Sequence, residues 1–394
     1  MRVALVFCPF GSVEQPPTGI TCVAAALASV HAVDCFDLNI EFHAYCVEHR
    51  IGLFAKRIFE GEDVLALKDL ALEGHGIPAF LDGWADQLAG YDVVGFSLYN
   101  ATYNFSKTLM RRIKVRNPKS VVICGGPFCE LNCFGKEISR LPLDPQAPGS
   151  PLLVDGTVLG EGEITFRKVL DAMAAGGDWR AIPNVLTIDR GELHVNDGYE
   201  LCNLNGLPFP DYSRYPLSKY SQSIIPVVGS RGCINRCCYC GEQPYWKKYR
   251  FRSAENICAE IDHHIRTTGL SLRHFHLCDS LINGNMKELE RLLDLIIEKN
   301  LGIIWYGMAA IRKEMTFEVL DKMKRAGCLQ LNYGIESGSA KVLRDMRRRL
   351  TPDLAARVLA DTKRAGIRAG ACWIVGFPTE TEEDFALTLR FLSD

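Results

Sequence analysis

Three closely spaced cysteines constrain this chain more than any other feature. They are Cys233, Cys237 and Cys240, in the phrase Ser230-Arg231-Gly232-Cys233-Ile234-Asn235-Arg236-Cys237-Cys238-Tyr239-Cys240. The spacing is C-x3-C-x2-C, with an aromatic residue before the last cysteine. Spacers this short bring three thiolates to one side of a cubane iron–sulfur cluster, which needs a thiolate on each iron it anchors. One iron is then left open for a substrate or cofactor. Structural zinc is the alternative, but it wants four ligands, commonly in paired C-x2-4-C spacings. Cys238 is poorly placed as a fourth, because its side chain should point away from those of Cys237 and Cys240. A disulfide framework belongs to small secreted domains; this chain has 394 residues, and its first residues read as a strand rather than a signal.

Length and composition set the frame. A chain of 394 residues, 47% hydrophobic, buries more than one core, and two or three domains are expected. A net charge of −2 and a pI near 6.5 argue against nucleic-acid binding by bulk charge. Sixteen cysteines without a signal peptide read as a reducing cytoplasm. The opening Met1–Phe7 run is too short for a signal or membrane helix, and no apolar run reaches membrane-spanning length.

Residues 1–178 alternate short β-branched runs with helical patterns, the mark of a parallel sheet with covering helices. Strands are expected at Val3–Phe7, Val33–Asp37, Asp92–Ser97, Ser120–Cys124 and Leu153–Leu159, with mixed helical character from Glu41 to Gly90. Ligands bind such folds at the loops after the strands. Those loops hold Thr18-Gly19, Ser97-Leu98-Tyr99-Asn100, Gly125-Gly126-Pro127 and Gly160-Glu161-Gly162-Glu163. Cys8-Pro9-Phe10-Gly11-Ser12 stands where a dinucleotide fingerprint would be, and there is no P-loop. Residues 179–222 read as a linker: a hairpin turning at Asp189-Arg190-Gly191, then the proline-spaced Leu207-Pro208-Phe209-Pro210-Asp211-Tyr212. From 223 to 394 the β/α alternation resumes. Strands are expected at Ile224–Val228, Arg273–Cys278, Gly302–Tyr306, Leu329–Ile335 and Ala371–Val375, and Ser253 caps a helix bearing Ile257, Ile261 and Ile265.

The cysteine phrase resembles the signature of the radical SAM superfamily. The resemblance implies a partial (β/α)6 barrel whose [4Fe-4S] cluster is held by Cys233, Cys237 and Cys240, with S-adenosyl-L-methionine (SAM) chelating the open iron. Tyr239 would set its backbone against the adenine. Asp279, Glu336 and Ser337 would approach the methionyl and ribose groups, and Gly376 and Pro378 the adenine. A helix cap or a solvated acid is the alternative for Asp279 and Glu336, but their placement at strand ends favours function. The barrel is expected to be truncated after its fifth unit. In the first domain, Ser97, Gly125-Gly126 and Gly160-Glu161-Gly162-Glu163, in this order, resemble the cobalamin-binding domain fused to many radical SAM enzymes. The cobalamin site implied comprises Thr18, Gly19, Ser97, Tyr99, Asn100, Gly125, Gly126, Gly160, Glu161 and Gly162. No histidine occurs between Met1 and Val30, so the lower face of the cobalt is expected to lack a histidine ligand; Tyr99 and Asn100 are candidates beneath it.

The function implied is a cobalamin-dependent radical SAM methyltransferase. It would cleave SAM reductively to a 5′-deoxyadenosyl radical and methylate an unactivated carbon, or phosphorus, through methylcobalamin. The substrate would be a small molecule or peptide, and an electron donor such as flavodoxin or ferredoxin would be needed. Three alternatives stand beside it: a radical cyclase or rearrangement enzyme, a methylthiotransferase, and a non-catalytic cobalamin or cluster sensor. The second would need a further cluster ligand where no cysteine occurs between Cys46 and Cys124. Arg344, Arg347, Arg348 and Arg349 read as a solvated basic face rather than a phosphate site. His274 and His276 share one face of a strand; Trp246 and Tyr249 read as packing residues.

Overall fold

A computed structural model describes residues 1–51, 76–131, 138–141, 143, 150–189, 191–196, 198–271 and 273–393. Arg190 and much of the Glu41–Gly90 stretch lie outside the described residues. The chain divides into two units, Met1–Gln222 and Ser223–Asp394.

The first unit is built on a seven-stranded sheet. Its strands are β1 (Arg2–Phe7), β2 (Ala32–Asp37), β3 (Val93–Ser97), β4 (Val121–Gly125), β5 (Gly156–Val158), β6 (Val185–Asp189) and β7 (Glu192–Val195), in the order β2-β1-β3-β4-β5-β6-β7. The first five run parallel. Val3, Ala4, Leu5 and Val6 are all buried because both faces of β1 are covered. On one side Val3, Leu5, Val93 and Ile123 pack with Ile20 of α1 (Thr18–Leu27) and Val169 of α6 (Gly162–Ala174). On the other, Ala4, Val6 and Phe96 pack with Phe42 of α2 (Leu38–Glu48), Leu81 of α3 (Ile77–Leu88) and Phe105 of α4 (Tyr103–Arg116). A short α5 (Pro127–Leu131) follows β4.

The hairpin expected in the linker is part of this sheet: β6 pairs antiparallel with β5, and β7 with β6. The segment after it also belongs to the first unit. Tyr215 hydroxyl lies 2.8 Å from Thr21 Oγ1, and Tyr220 donates to Asp37 Oδ2 at 2.7 Å. Asp37 caps α2 by accepting from the N–H groups of Asn39 and Ile40. Burial pushes its carboxyl up to about 6, against these hydrogen bonds.

The second unit carries a five-stranded parallel sheet. Its strands are β8 (Ile225–Val227), β11 (His274–Leu277), β12 (Ile304–Ala309), β13 (Cys328–Glu336) and β14 (Arg368–Trp373), in that spatial order. A two-stranded ribbon, β9 (Ser230–Arg231) with β10 (Arg250–Phe251), pairs antiparallel. The helices are α7 (Glu242–Trp246), α8 (Ala254–Thr267), α9 (Met286–Glu298), α10 (Phe317–Arg325), α11 (Ala340–Asp345), α12 (Pro352–Arg364) and α13 (Glu382–Ser393). Ser253 caps α8, its Oγ accepting from Asn256 N–H, and Ile257 and Ile261 are buried as the spacing predicts. Both units are α/β, the class expected from the sequence.

Candidate cluster and cofactor sites

The cysteine loop leaves β9 and returns at β10, so the ribbon pins its two ends together. Gly232, at φ +81°, makes this closure possible: a Cβ there would lie 3.0 Å from the Lys248 carbonyl oxygen. Cys238 N–H donates to Met346 O at 3.2 Å, and its thiol lies 3.6 Å from Asp345 O at the end of α11. Cys238 is therefore engaged with the end of α11, which leaves Cys233, Cys237 and Cys240 as the candidate ligands. All three are free thiols. Burial raises the pKa of Cys233, and the charges of Cys237 and Cys240 push it further in the same direction. A neighbouring cation or metal stabilises such thiols as thiolates. This donor set fits a cluster held on three sides.

The expected SAM residues fall into two groups. Glu336 ends β13 at φ +75°, a conformation a non-glycine residue adopts only where its surroundings enforce it. Tyr239, 41% exposed, has a raised pKa because its phenol is partly buried and hydrogen-bonds the Glu336 carboxylate, with Arg348 opposing. Gly376, at φ +79°, and Pro378 are exposed on the loop after β14, and Gly376 N–H donates to Glu380 Oε2 at 2.7 Å. Glu336, Asp279 and Ser337 are all buried, and Asp279 and Ser337 are bonded to the main chain and to α13 rather than to the cysteine loop. Asp279 accepts from Gly229 N–H at 3.1 Å, which fixes the strand end leading into the cysteine loop. Its carboxyl is pushed up to about 6, chiefly by burial. Ser337 Oγ lies 3.3 Å from Thr388 Oγ1 of α13 and accepts from Ser339 N–H.

Arg348 is the residue that sequence reasoning missed. The expected solvated face is overturned for it: its side chain is 11% exposed, and Nη1 donates to Cys237 Sγ at 3.4 Å. Nη2 donates to the Gly334 carbonyl and lies 3.9 Å from Glu336 Oε1. The basic run carries no local sign of this, because Arg347, at φ +60°, reverses the chain just after α11.

One face of the second sheet is apolar and buried, through Phe275, Leu277, Trp305, Leu331 and Tyr333. The other carries the half-buried His274, His276, Tyr306, Met308, Gln330 and Asn332. His276 stacks on Tyr306, ring centroids 4.3 Å apart, and its Nδ1 lies 3.2 Å from Cys278 Sγ. Burial pushes the imidazole down to about 4, with His274 adding to the effect. An unfolded histidine titrates near about 6.5, so the unfolded chain binds the extra proton as pH falls from there toward 4. Stability present above pH 6.5 is lost over that window, by about 2 kcal/mol at pH 5. The His276→Gln variant should lose correspondingly less stability between pH 7 and pH 5 in urea denaturation. Equal losses in variant and parent would remove His276 as the source.

In the first unit, the strand order reverses between β1 and β3, the place where open α/β sheets bind ligands. Ser97 ends β3 there, in register with Phe7 on β1 and Gly125 on β4. A Cβ on Gly19, at the start of α1, would lie 3.9 Å from Ser97 Oγ; one on Gly126 would lie 3.2 Å from it. Thr18-Gly19, Ser97 and Gly125-Gly126 are thus brought together. Tyr99 and Asn100 are exposed beyond β3, with Tyr99 edge-on to Phe7. Gly160, at φ +69°, has the Tyr199 ring where a side chain would go, and a Cβ on Gly162 would lie 3.1 Å from Val23 of α1. Glu161 points inward, accepting from Cys202 N–H at 3.1 Å. With Glu163 and Cys202 it forms a buried group whose ligand atoms lie within 4.8 Å of one another. The glycines at 19, 125 and 126 keep side chains off the strand ends at this reversal, where the backbone stays open to close approach.

Residues 227–392 match the model of the radical SAM superfamily. An uncharacterized methyltransferase of Pyrococcus horikoshii is 27% identical over 307 residues, 76% of this chain and 63% of the relative. An anaerobic magnesium-protoporphyrin IX monomethyl ester cyclase of Synechocystis sp. is 23% identical over 290 residues, 71% of this chain and 54% of the relative. The chain spans less than two thirds of the length of either. Among solved structures, it is similar to the radical S-adenosylmethionine methyltransferase TsrM from Kitasatospora setae, with cobalamin and a [4Fe-4S] cluster bound. The TM-score is 0.70 at 16% identity, over 100% of this chain and 70% of that one. At this identity the likeness is one of fold. Among the described residues, no helix is long and apolar enough to cross a membrane.

Proposed function

We propose that the chain is a cobalamin-dependent radical SAM enzyme that transfers a methyl group to an unactivated carbon or to phosphorus. The observation that carries this reading is the group of three free thiols, separated from Cys238, on a pinned loop within a radical SAM segment. When bound, the cluster supplies the electron that cleaves SAM to a 5′-deoxyadenosyl radical, and cobalamin supplies the methyl group.

The protein's own part is to hold and orient. Cys233, Cys237 and Cys240 would hold the cluster. Glu336 and Tyr239 offer a hydrogen-bonded acid–phenol pair to SAM, and the exposed backbone of Gly376–Pro378 offers a surface for the adenine. Asp279 and Ser337 act as positioning residues, fixing the strand ends on which these groups stand. The crevice at Gly19, Ser97 and Gly126 accepts the cobalamin. Methyl transfer is favoured by the names of the Pyrococcus and Kitasatospora proteins, while the Synechocystis relative supports cyclisation as a second reading.

The test is anaerobic purification with cluster reconstitution, followed by quantitation of cobalamin, iron and sulfide after gel filtration. Stoichiometric cobalamin with a single four-iron cluster is expected. One cluster without cobalamin would end the methyl-transfer reading. With a substrate in hand, a product heavier by one methylene group separates methylation from cyclisation.

A further inference from the structure

Arg348 has no role in the reading above, yet its guanidinium hydrogen-bonds one of the three thiols, that of Cys237. Its guanidinium is nearly withdrawn from water, and its three nitrogens are differently engaged. Nη1 donates to Cys237 Sγ, Nη2 to the Gly334 carbonyl, and Nε is buried without a partner. The carbonyl bond and the packing around Nε hold the fork in one orientation, so the contact with sulfur does not depend on a free side chain finding it.

We propose that Arg348 sets the reduction potential of the cluster by donating a charge-assisted hydrogen bond to the Cys237 thiolate. The proposal rests on the reading of Cys233, Cys237 and Cys240 as cluster ligands. Reduction adds one electron, whose charge is spread over irons, sulfides and thiolates. A guanidinium 3.4 Å from one ligand sulfur, largely shielded from solvent, stabilises that added charge more than it stabilises the oxidised cluster. Glu336 opposes it, but its Oε1 lies 3.9 Å from Nη2, the nitrogen that does not bond the sulfur, and it shares its own charge with the Tyr239 phenol. The direct bond to sulfur is the stronger effect. The same contact fixes the Cys237 side chain, so one residue positions a ligand and tunes the metal it holds.

The experiment compares the chain with its R348M and R348K variants, each reconstituted without oxygen. Iron and sulfide are counted, and the clusters are titrated electrochemically with EPR detection, in the absence of SAM. The R348M midpoint should move to more negative potential. At the parent's midpoint its reduced-to-oxidised ratio should fall about tenfold, or ~59 mV for one electron. R348K, which keeps the charge but not the fork, should recover part of the shift. An R348M cluster with full iron and the parent's midpoint would overturn the proposal and leave Arg348 as packing. If R348M holds no iron, R348Q is titrated in its place: a negative shift supports the proposal, and the parent's midpoint overturns it. A parent chain that takes up no four-iron cluster fails the underlying assignment instead.

Discussion

The Cys237→Ala variant is expected to lose most of its iron and to form 5′-deoxyadenosine only at background. A cubane anchored by three thiolates has no spare ligand, and removing one exposes its iron to water and oxygen. Cys237 is also the thiol that Arg348 addresses, so its loss leaves a buried guanidinium without that partner. The informative control is one residue away. Cys238 has its thiol 3.6 Å from Asp345 O and its N–H on Met346 O, and replacing it with alanine removes only a weak contact while the backbone bond stays. Cys238→Ala should therefore hold parental iron and sulfide and still cleave SAM. Iron, sulfide and 5′-deoxyadenosine per chain, measured side by side, decide the matter. Full iron in Cys237→Ala, or equal losses in both variants, would mean that the metal is held elsewhere.

What the sequence made legible follows from how locally each feature is determined. The parallel strands of both units stand out because strands buried on both faces read as unbroken apolar runs, as Val3–Val6 does. The cysteine loop stands out because its candidate ligands are neighbours in the chain. The hairpin was legible as a hairpin, but not as the antiparallel edge of the first sheet, since nothing in Glu192–Val195 names its partner strand. Side-chain direction was the least legible. Asp279 sits at a strand end, as expected of a ligand-binding acid, yet it turns to Gly229 N–H and stays buried. Arg348 lies in a run of arginines that reads as solvated, and only the reversal at Arg347 carries it to Cys237. Both depend on contacts between residues far apart in sequence, which periodicity and spacing do not encode.

The Gly126→Ala variant is expected to lose cobalamin while keeping its cluster. Gly126 sits at φ +97°, and an added Cβ would lie 2.9 Å from both the nitrogen and the oxygen of Leu98. A left-handed or similarly strained backbone costs an L residue about 1–2 kcal/mol by itself. The contact with Leu98 is costlier in kind, because main chain cannot swing aside as a side-chain tip can. Leu98 N–H donates to Gly125 O at 2.8 Å, so any retreat of Leu98 breaks a hydrogen bond beside Ser97, in the crevice itself. The affinity for cobalamin should fall at least tenfold, the change that ~1.4 kcal/mol of binding energy brings, and retention after gel filtration should fall with it. Iron and sulfide should not change, since the cysteine loop belongs to the other unit. Gly176→Ala separates the two costs: Gly176 also has positive φ, at +68°, but nothing lies within 4 Å of its added Cβ. That variant should keep cobalamin despite a similar conformational penalty. Full retention by Gly126→Ala would place the cobalamin away from this crevice, and equal loss in both variants would trace the effect to general destabilisation of the unit.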